Sequence, residues 1–349
     1  MAVRFTLWLT CLICVAHGSL AVAGSPSKPS PLRSRGAPAA AKPNGANNAS
    51  TKAANGASTT PAAPSASTTA DDKTPPAGTK TYLLRYKFKP RETLRWEVEH
   101  RAKIRSTVQG TTQTAETSSS SIKIWKVESV DAEGNATLVY SVERVEMTQK
   151  YDGRQETRYN SETDTKAPPG YDKVAEAVGK PLAQLTLNPR GDVINREERY
   201  VQAAPMQENV TLPLPENAVA IGEEWTMPAD ITVTIPEGER KTTRKIKARQ
   251  LYRLESVDDG MATIRLETQV LTPLNDPQIE SQIVQSKANG HVRFDIAAGR
   301  IVSQQSDVDE HVSGFQGPAS SLHYITRFSE KLLPGSGRAA VYPKAPQKR

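Results

Sequence analysis

A repeated segment constrains this chain more than any other feature. Lys126–Leu138 reads KVESVDAEGNATL and Arg253–Ile264 reads RLESVDDGMATI. With one gap inside the turn, seven of the twelve matched positions are identical. A second pair follows each copy in the same order. Leu185–Asn195 (LTLNPRGDVIN) and Val292–Ser303 (VRFDIAAGRIVS) match in pattern around Gly191 and Gly299. Two blocks recurring in one order imply a single ancestral unit used twice. The first unit is placed at 81–215 and the second at 216–333.

Both units read as β. Apolar and polar residues alternate with period two, which puts one face in a core and the other in water. Tyr82, Leu84, Tyr86 and Phe88 share a face, opposite Arg85 and Lys87. Leu94, Trp96, Val98, His100, Ala102 and Ile104 alternate with Arg95, Glu97, Glu99, Arg101, Lys103 and Arg105. Ala136, Leu138, Tyr140 and Val142 continue the theme, then the phase flips to Val145 and Met147. A flip without a turn predicts a β-bulge, which bends a long strand. The second unit repeats the pattern through Ile231, Ile246, Tyr252, Ile264, Val292 and Phe294, and Leu322, Tyr324 and Phe328 mark the last strand.

Asp131–Gly134 and Asp258–Gly260 supply hairpin turns, since Asp and Gly accept left-handed backbone. The predicted fold is therefore all-β: two homologous antiparallel meanders, arranged as curved half-barrels or as a sandwich. Trp96 and Trp225 are expected to be buried near the starts of the units. The first unit is roughly twenty residues longer, and Tyr151–Lys180 holds the excess. A short helix is predicted there at Asp172–Val178, with Asp172 as N-cap and Gly179 as terminator. This insertion is read as a cap on the core, or as a lid beside a concavity.

The ends bear on location. Arg4 followed by the apolar Phe5–Val15 and the small residues Ala21-Val22-Ala23 reads as an export signal over residues 1–23. The apolar run is too short for a transmembrane helix. Both cysteines, Cys11 and Cys14, fall inside that signal, so the processed chain is expected to fold without disulfides and without thiol chemistry. Residues 24–80 are rich in Ala, Pro, Ser and Thr and read as a disordered linker; residues 334–349 read as a disordered basic tail. The whole chain carries +7, yet residues 81–333 hold 33 basic against 36 acidic groups, a net of −3. The basicity belongs to the ends, which argues against a nucleic-acid-binding fold. The periplasm or the cell exterior is the expected location.

Three stretches carry a resemblance. They are YKFKPRETLRWEV (Tyr86–Val98), YNSETDTKAPP with VGKPLAQLTLNPRGDVI (Tyr159–Pro169, Val178–Ile194) and LPENAVAIGEEW (Leu214–Trp225). Together they resemble a family of exported bacterial proteins described as a domain of unknown function. The resemblance implies export and a β-rich fold, and it brings no catalytic residues. In length, long strands and export the chain also resembles periplasmic lipoprotein carriers, whose half-barrels hold acyl chains.

No motif names a reaction. His100, His291, His311 and His323 form neither HExxH nor HxH, and there is no GxSxG and no phosphate-binding glycine loop. Catalytic residues, cofactors and a metal centre are not expected. His100 lies at an apolar position and reads as a hydrogen-bonded core histidine. Two surface rows stand out. Asp307, Asp309 and His311 recur at every second residue and could offer ligands to a divalent cation, but read first as a solvated strand face. Lys241, Lys245, Lys247, Arg249 and Arg253 share one parity and read as an outer sheet face or as a surface for an anionic partner. The expected function is a non-enzymatic envelope module that binds or scaffolds. A hydrophobic ligand or another envelope protein is its partner; a purely structural or protein-interaction β module is the alternative, and an unrecognised hydrolase is the third reading.

Overall fold

The computed structural model describes residues 80–200, 211–237 and 240–336. The expected signal, nearly all of the linker and most of the basic tail lie outside the described residues.

The first half of the chain contributes β1 (Thr81–Tyr82), β2 (Thr93–Val108), β3 (Thr111–Val130), β4 (Ala136–Tyr151), β5 (Thr157–Asn160), the helix α1 (Asp172–Ala177), β6 (Pro181–Leu187) and β7 (Val193–Glu198). The second half contributes β8 (Val219–Ala220), β9 (Glu224–Pro228), β10 (Ile231–Glu237), β11 (Arg240–Ile246), β12 (Ala248–Asp258), β13 (Met261–Val270), α2 (Pro277–Ile283), β14 (Asn289–Asp295), β15 (Arg300–Ser313) and β16 (Ser321–Leu332). The fold is all-β, and each neighbouring pair of strands is antiparallel.

One twelve-stranded sheet dominates, in the order β7-β6-β4-β3-β2-β16-β15-β14-β13-β12-β9, with β5 beside β4. The two halves join where β16 pairs with β2, from Ser321↔Thr107 to Leu332↔Trp96. The sheet curls without closing, so β7 and β9 remain edges. Local geometry supplies the curl. The bulge foreseen in β4 lies at Glu143, because Lys123 pairs with Val142 while Ile122 pairs with Arg144. Val142 and Val145 can then both point inward, and both are buried.

Further bulges fall at matched places in the two halves. Glu128 is the extra residue between Val127 and Ser129, and Glu255 is the extra residue between Leu254 and Ser256. Each is the glutamate of an ESVD block. Ile194 and Val302 are likewise extra residues, both just after the glycine turns. A bulge raises local twist and bends its strand, so both halves bend at the same steps of their meanders.

Leu84–Phe88 keeps the expected parity but is not a strand of the sheet. The strand ends at Tyr82, and the chain continues as an extended strap whose Leu84 and Tyr86 are buried. Tyr86 N donates to Pro189 O at 2.7 Å and Lys87 N donates to Gly299 O at 3.0 Å, so both glycine turns satisfy the strap instead of a ladder.

The apolar face forms two main cores. One gathers Trp96, Trp125, Tyr140, Leu138 and Leu185 around the first half, and the other gathers Leu84, Tyr252, Ile264, Val292 and Phe294 around the second. Phe88 packs against both.

The insertion covers the first core, with Tyr159, Tyr171, Val174 and Ala177 buried in it. Its helix begins after Tyr171, not at a capping Asp172; Asp172 sits in the first turn, and Gly179 at φ 77° ends the segment. A second helix, α2, occupies the same connection of the second half, between β13 and β14. Asp276 caps it by accepting from Gln278 N, and Pro277 takes the first helical position. Its Ile279 and Ile283 pack on the β10–β11 hairpin, and Val284 beyond it packs on Val308, Val312 and Tyr324 of β15 and β16.

Candidate functional site

The inner face of the sheet is the face on which the strap and both covering segments pack. Along β2 the same-face residues Leu94, Trp96 and Val98 are fully buried. Farther along, His100, Ala102, Ile104 and Ser106 are only half-buried. The sequence alternation continues unchanged through all of them. The cover is therefore tighter over the start of β2 than over its far half, where Ile104 packs against the cluster of Val284, Val308, Val312 and Tyr324 without being fully buried. The floor at that point includes Ala102 and Ile104, with Thr326 of β16 directly opposite Ala102.

A charged cluster lies deeper on the same face. Lys123 of β3 and Glu330 of β16 form an ion pair with their side chains 5% and 3% exposed. The Lys123 Nζ lies 4.7 Å from the centre of the Trp96 ring and 5.0 Å from that of Trp125. Gln304 Nε2 donates to the second oxygen of Glu330 at 2.6 Å. The ammonium thus meets one carboxylate and two indole faces, and the carboxylate is held from two sides. Such a pair offsets its loss of hydration only when the surrounding groups are also satisfied. Trp125 Nε1 is the exception, buried with no hydrogen-bond partner. Glu92, 2% exposed, receives Arg300 at 3.2 Å and accepts from Lys89 N at 2.8 Å. These contacts concentrate where the two halves join.

Sequence reasoning did not single out Lys123 or Glu330. A signal was available: each is a charge at apolar parity, Lys123 between Ser121 and Trp125, and Glu330 between Phe328 and Leu332. Nothing in the sequence pairs the two, because their strands meet only through the join.

His100 is hydrogen-bonded, as expected. The Thr326 hydroxyl donates to Arg101 O at 2.9 Å, so it must accept from His100 Nε2, also at 2.9 Å. Burial holds the imidazole below its ordinary pKa, favouring the neutral ring.

The acidic row is assembled as a strand face. Arg327 Nε donates to Asp307 at 2.6 Å, His323 Nε2 lies 2.7 Å from Asp309, and the His311 and His323 rings stand edge to face 5.9 Å apart. Burial alone would raise the Asp307 carboxyl, but hydrogen bonds from Arg327 and Gln305 outweigh it and hold the group below its ordinary value. Among the described residues no group of three or more His, Cys, Asp or Glu is arranged to hold a metal ion.

The basic row is divided. Lys245 lies on β11, Lys247 in the link, and Arg249 and Arg253 on β12 in the main sheet. Lys241 lies outside the described side chains. Trp225, expected to be buried, is half-buried because β9 is an edge strand; it stacks on Tyr252 with ring centres 5.6 Å apart.

No family model matches this chain, and no curated protein matches it. Among solved structures it aligns with lipovitellin, in work on lipid–protein interactions, at 14% identity and a TM-score of 0.41. That alignment covers 75% of this chain but only 27% of the lipovitellin chain. The translocator domain of the autotransporter NalP from Neisseria meningitidis aligns at 6% identity and a TM-score of 0.26, over 70% of this chain and 89% of that one. A DUF1329 family protein from Desulfovibrio piger aligns at 10% identity and a TM-score of 0.14, over 66% and 83% of the two chains. At these scores the likenesses establish neither a family nor a function.

Proposed function

We propose that this is an exported, non-enzymatic binding module of the cell envelope, holding a hydrophobic ligand on the open half of its inner face. The observation that carries the reading is the burial gradient along β2. Apolar alternation persists past Val98 while burial lessens, so Ala102 and Ile104 are only half-buried within a curved surface. A partly covered apolar floor flanked by a few fixed polar groups suits a ligand that is mostly hydrocarbon. A titration with an environment-sensitive acyl probe tests this. Saturable binding that is lost on Ala102→Trp, with the thermal midpoint unchanged, is expected. No saturable binding would leave a structural β module as the better account, a reading favoured by the packing of Phe88 against both cores.

The matched bulges at Glu128 and Glu255, and at Ile194 and Val302, support descent of both halves from one unit. Relatives carrying a single unit are expected; relatives without either ESVD block or its bulge would count against it. The export signal, the 24–80 linker and the basic tail belong to the same reading. Amino-terminal sequencing of protein recovered from the envelope should begin at Gly24.

A further inference from the structure

We propose that the outer surface formed by Lys245, Lys247, Arg249 and Leu271 docks on an anionic phospholipid bilayer. Arg240–Arg249 contains six basic residues and no acidic one in ten positions, within a module whose net charge is negative. The β10–β11 hairpin holds Lys245 outward, opposite Thr232 on the face away from its packed side. Its apolar residues Ile231, Val233 and Ile246 are buried, packed with Ile279 and Ile283 of α2. Lys245, Lys247 and Arg249 are all exposed and alternate with the buried Ile246 and Ala248. Among the described residues Arg249 donates to the neutral Gln269 at 2.9 Å, and no carboxylate forms an ion pair with any of the three.

The cations are locally fixed. Lys247 N donates to Thr272 Oγ1 at 2.9 Å, and Leu271 N donates to Lys247 O at 2.8 Å. Leu271, 52% exposed, is therefore held beside Lys247. That leucine decides between partners of like charge. A soluble polyanion gains nothing from an exposed leucine among the cations. A bilayer offers phosphate to the cations and hydrocarbon to the leucine. The surface lies on the opposite side of the sheet from the inner face, so it stands or falls independently of the ligand reading.

Co-sedimentation of the full chain with vesicles provides the test. Vesicles of phosphatidylcholine with phosphatidylglycerol should bind it, with binding weakening as salt rises, and phosphatidylcholine alone should not. Removing one cation by Lys245→Gln or Lys247→Gln should each weaken binding about fivefold. Leu271→Ser should weaken binding to vesicles but leave binding to polyphosphate unchanged. All three positions are exposed, and circular dichroism checks that the variants fold. Unchanged vesicle affinity in the Lys variants would assign binding to the basic ends and overturn the proposal. Polyphosphate binding equal to vesicle binding, with no effect of Leu271→Ser, would overturn it in favour of a soluble polyanion.

Discussion

Gly191 and Gly299, one from each half of the chain, close on consecutive residues of the same strap. A Cβ at Gly191 would lie 2.7 Å from the Tyr86 ring, and a Cβ at Gly299 would lie 2.6 Å from Lys87 N. Their turns join β6 to β7 and β14 to β15, five strand spacings apart at the nearest. In a flat sheet those turns would stand about 24 Å apart, whereas adjacent Cα atoms are about 3.8 Å apart. The strap can meet both only because the sheet curls, so its contacts hold the two halves at a fixed curvature.

The first prediction follows from these glycines. Both hold positive φ, 89° and 64°, and both lack room for a side chain. Gly110 has a similar φ of 77° with nothing near its missing Cβ. Gly110→Ala should cost about 1–2 kcal/mol, the backbone penalty alone. Gly191→Ala and Gly299→Ala should each cost clearly more, because the strap must shift as well. Denaturant midpoints compare the three, and equal losses would mean that the strap gives way freely.

The two tryptophans should differ. Trp96 is 3% exposed and donates from Nε1 to Ile301 O at 3.3 Å. Its replacement by Ala should cost about 3–5 kcal/mol. Trp225 is half-buried on an edge strand and should cost less. Quenching of indole fluorescence in single-tryptophan variants, with the others replaced by Phe, should rank Trp225 as the more accessible. The reverse order would contradict the placement of β9 at the sheet edge.

Acid should weaken the fold partly through His100. Its folded pKa is lowered by burial, so the unfolded chain takes up the proton first. The stability it contributes is complete above the ordinary histidine value of about 6.5. It declines as the pH falls from there toward the folded value. His100→Asn should flatten the stability profile over that interval. An unchanged slope would mean that the ring titrates normally in the folded state.

The alternation fixed strand faces, and the duplicated blocks located the hairpins, because both are written in local residue order. What sequence reading missed shares one cause. Leu84–Phe88 has strand parity yet joins no ladder, because the glycine turns of two distant hairpins satisfy it. The α2 helix carried a visible signal, Asp276-Pro277, but its short apolar set of Ile279 and Ile283 is also what a strand would show. Lys123 and Glu330 meet only after β16 pairs with β2, at a separation in sequence that no spacing rule spans. The acidic row was legible as a row, but its partners Arg327 and His323 come from the neighbouring strand. In most of these cases the missing information is a contact with a segment that local residue order does not specify.

That contact can be measured for the buried pair. Lys123 links the first half to β16 through Glu330, and the two indole rings offer the ammonium no replacement anion. Lys123→Met leaves the Glu330 carboxylate buried with Gln304 as its remaining polar contact, so a loss of about 3–5 kcal/mol is expected. Glu330→Leu leaves an ammonium between two rings, with a loss of similar size. The double variant Lys123→Met with Glu330→Leu removes both charges and keeps apolar volume. It should therefore recover most of either loss, since replacing a whole buried pair by packed hydrophobic groups is often close to neutral. Urea unfolding of the four proteins closes the cycle. Additive losses would mean that the two side chains do not sense each other, and the join between the halves would then rest on the strap and the β2–β16 ladder alone.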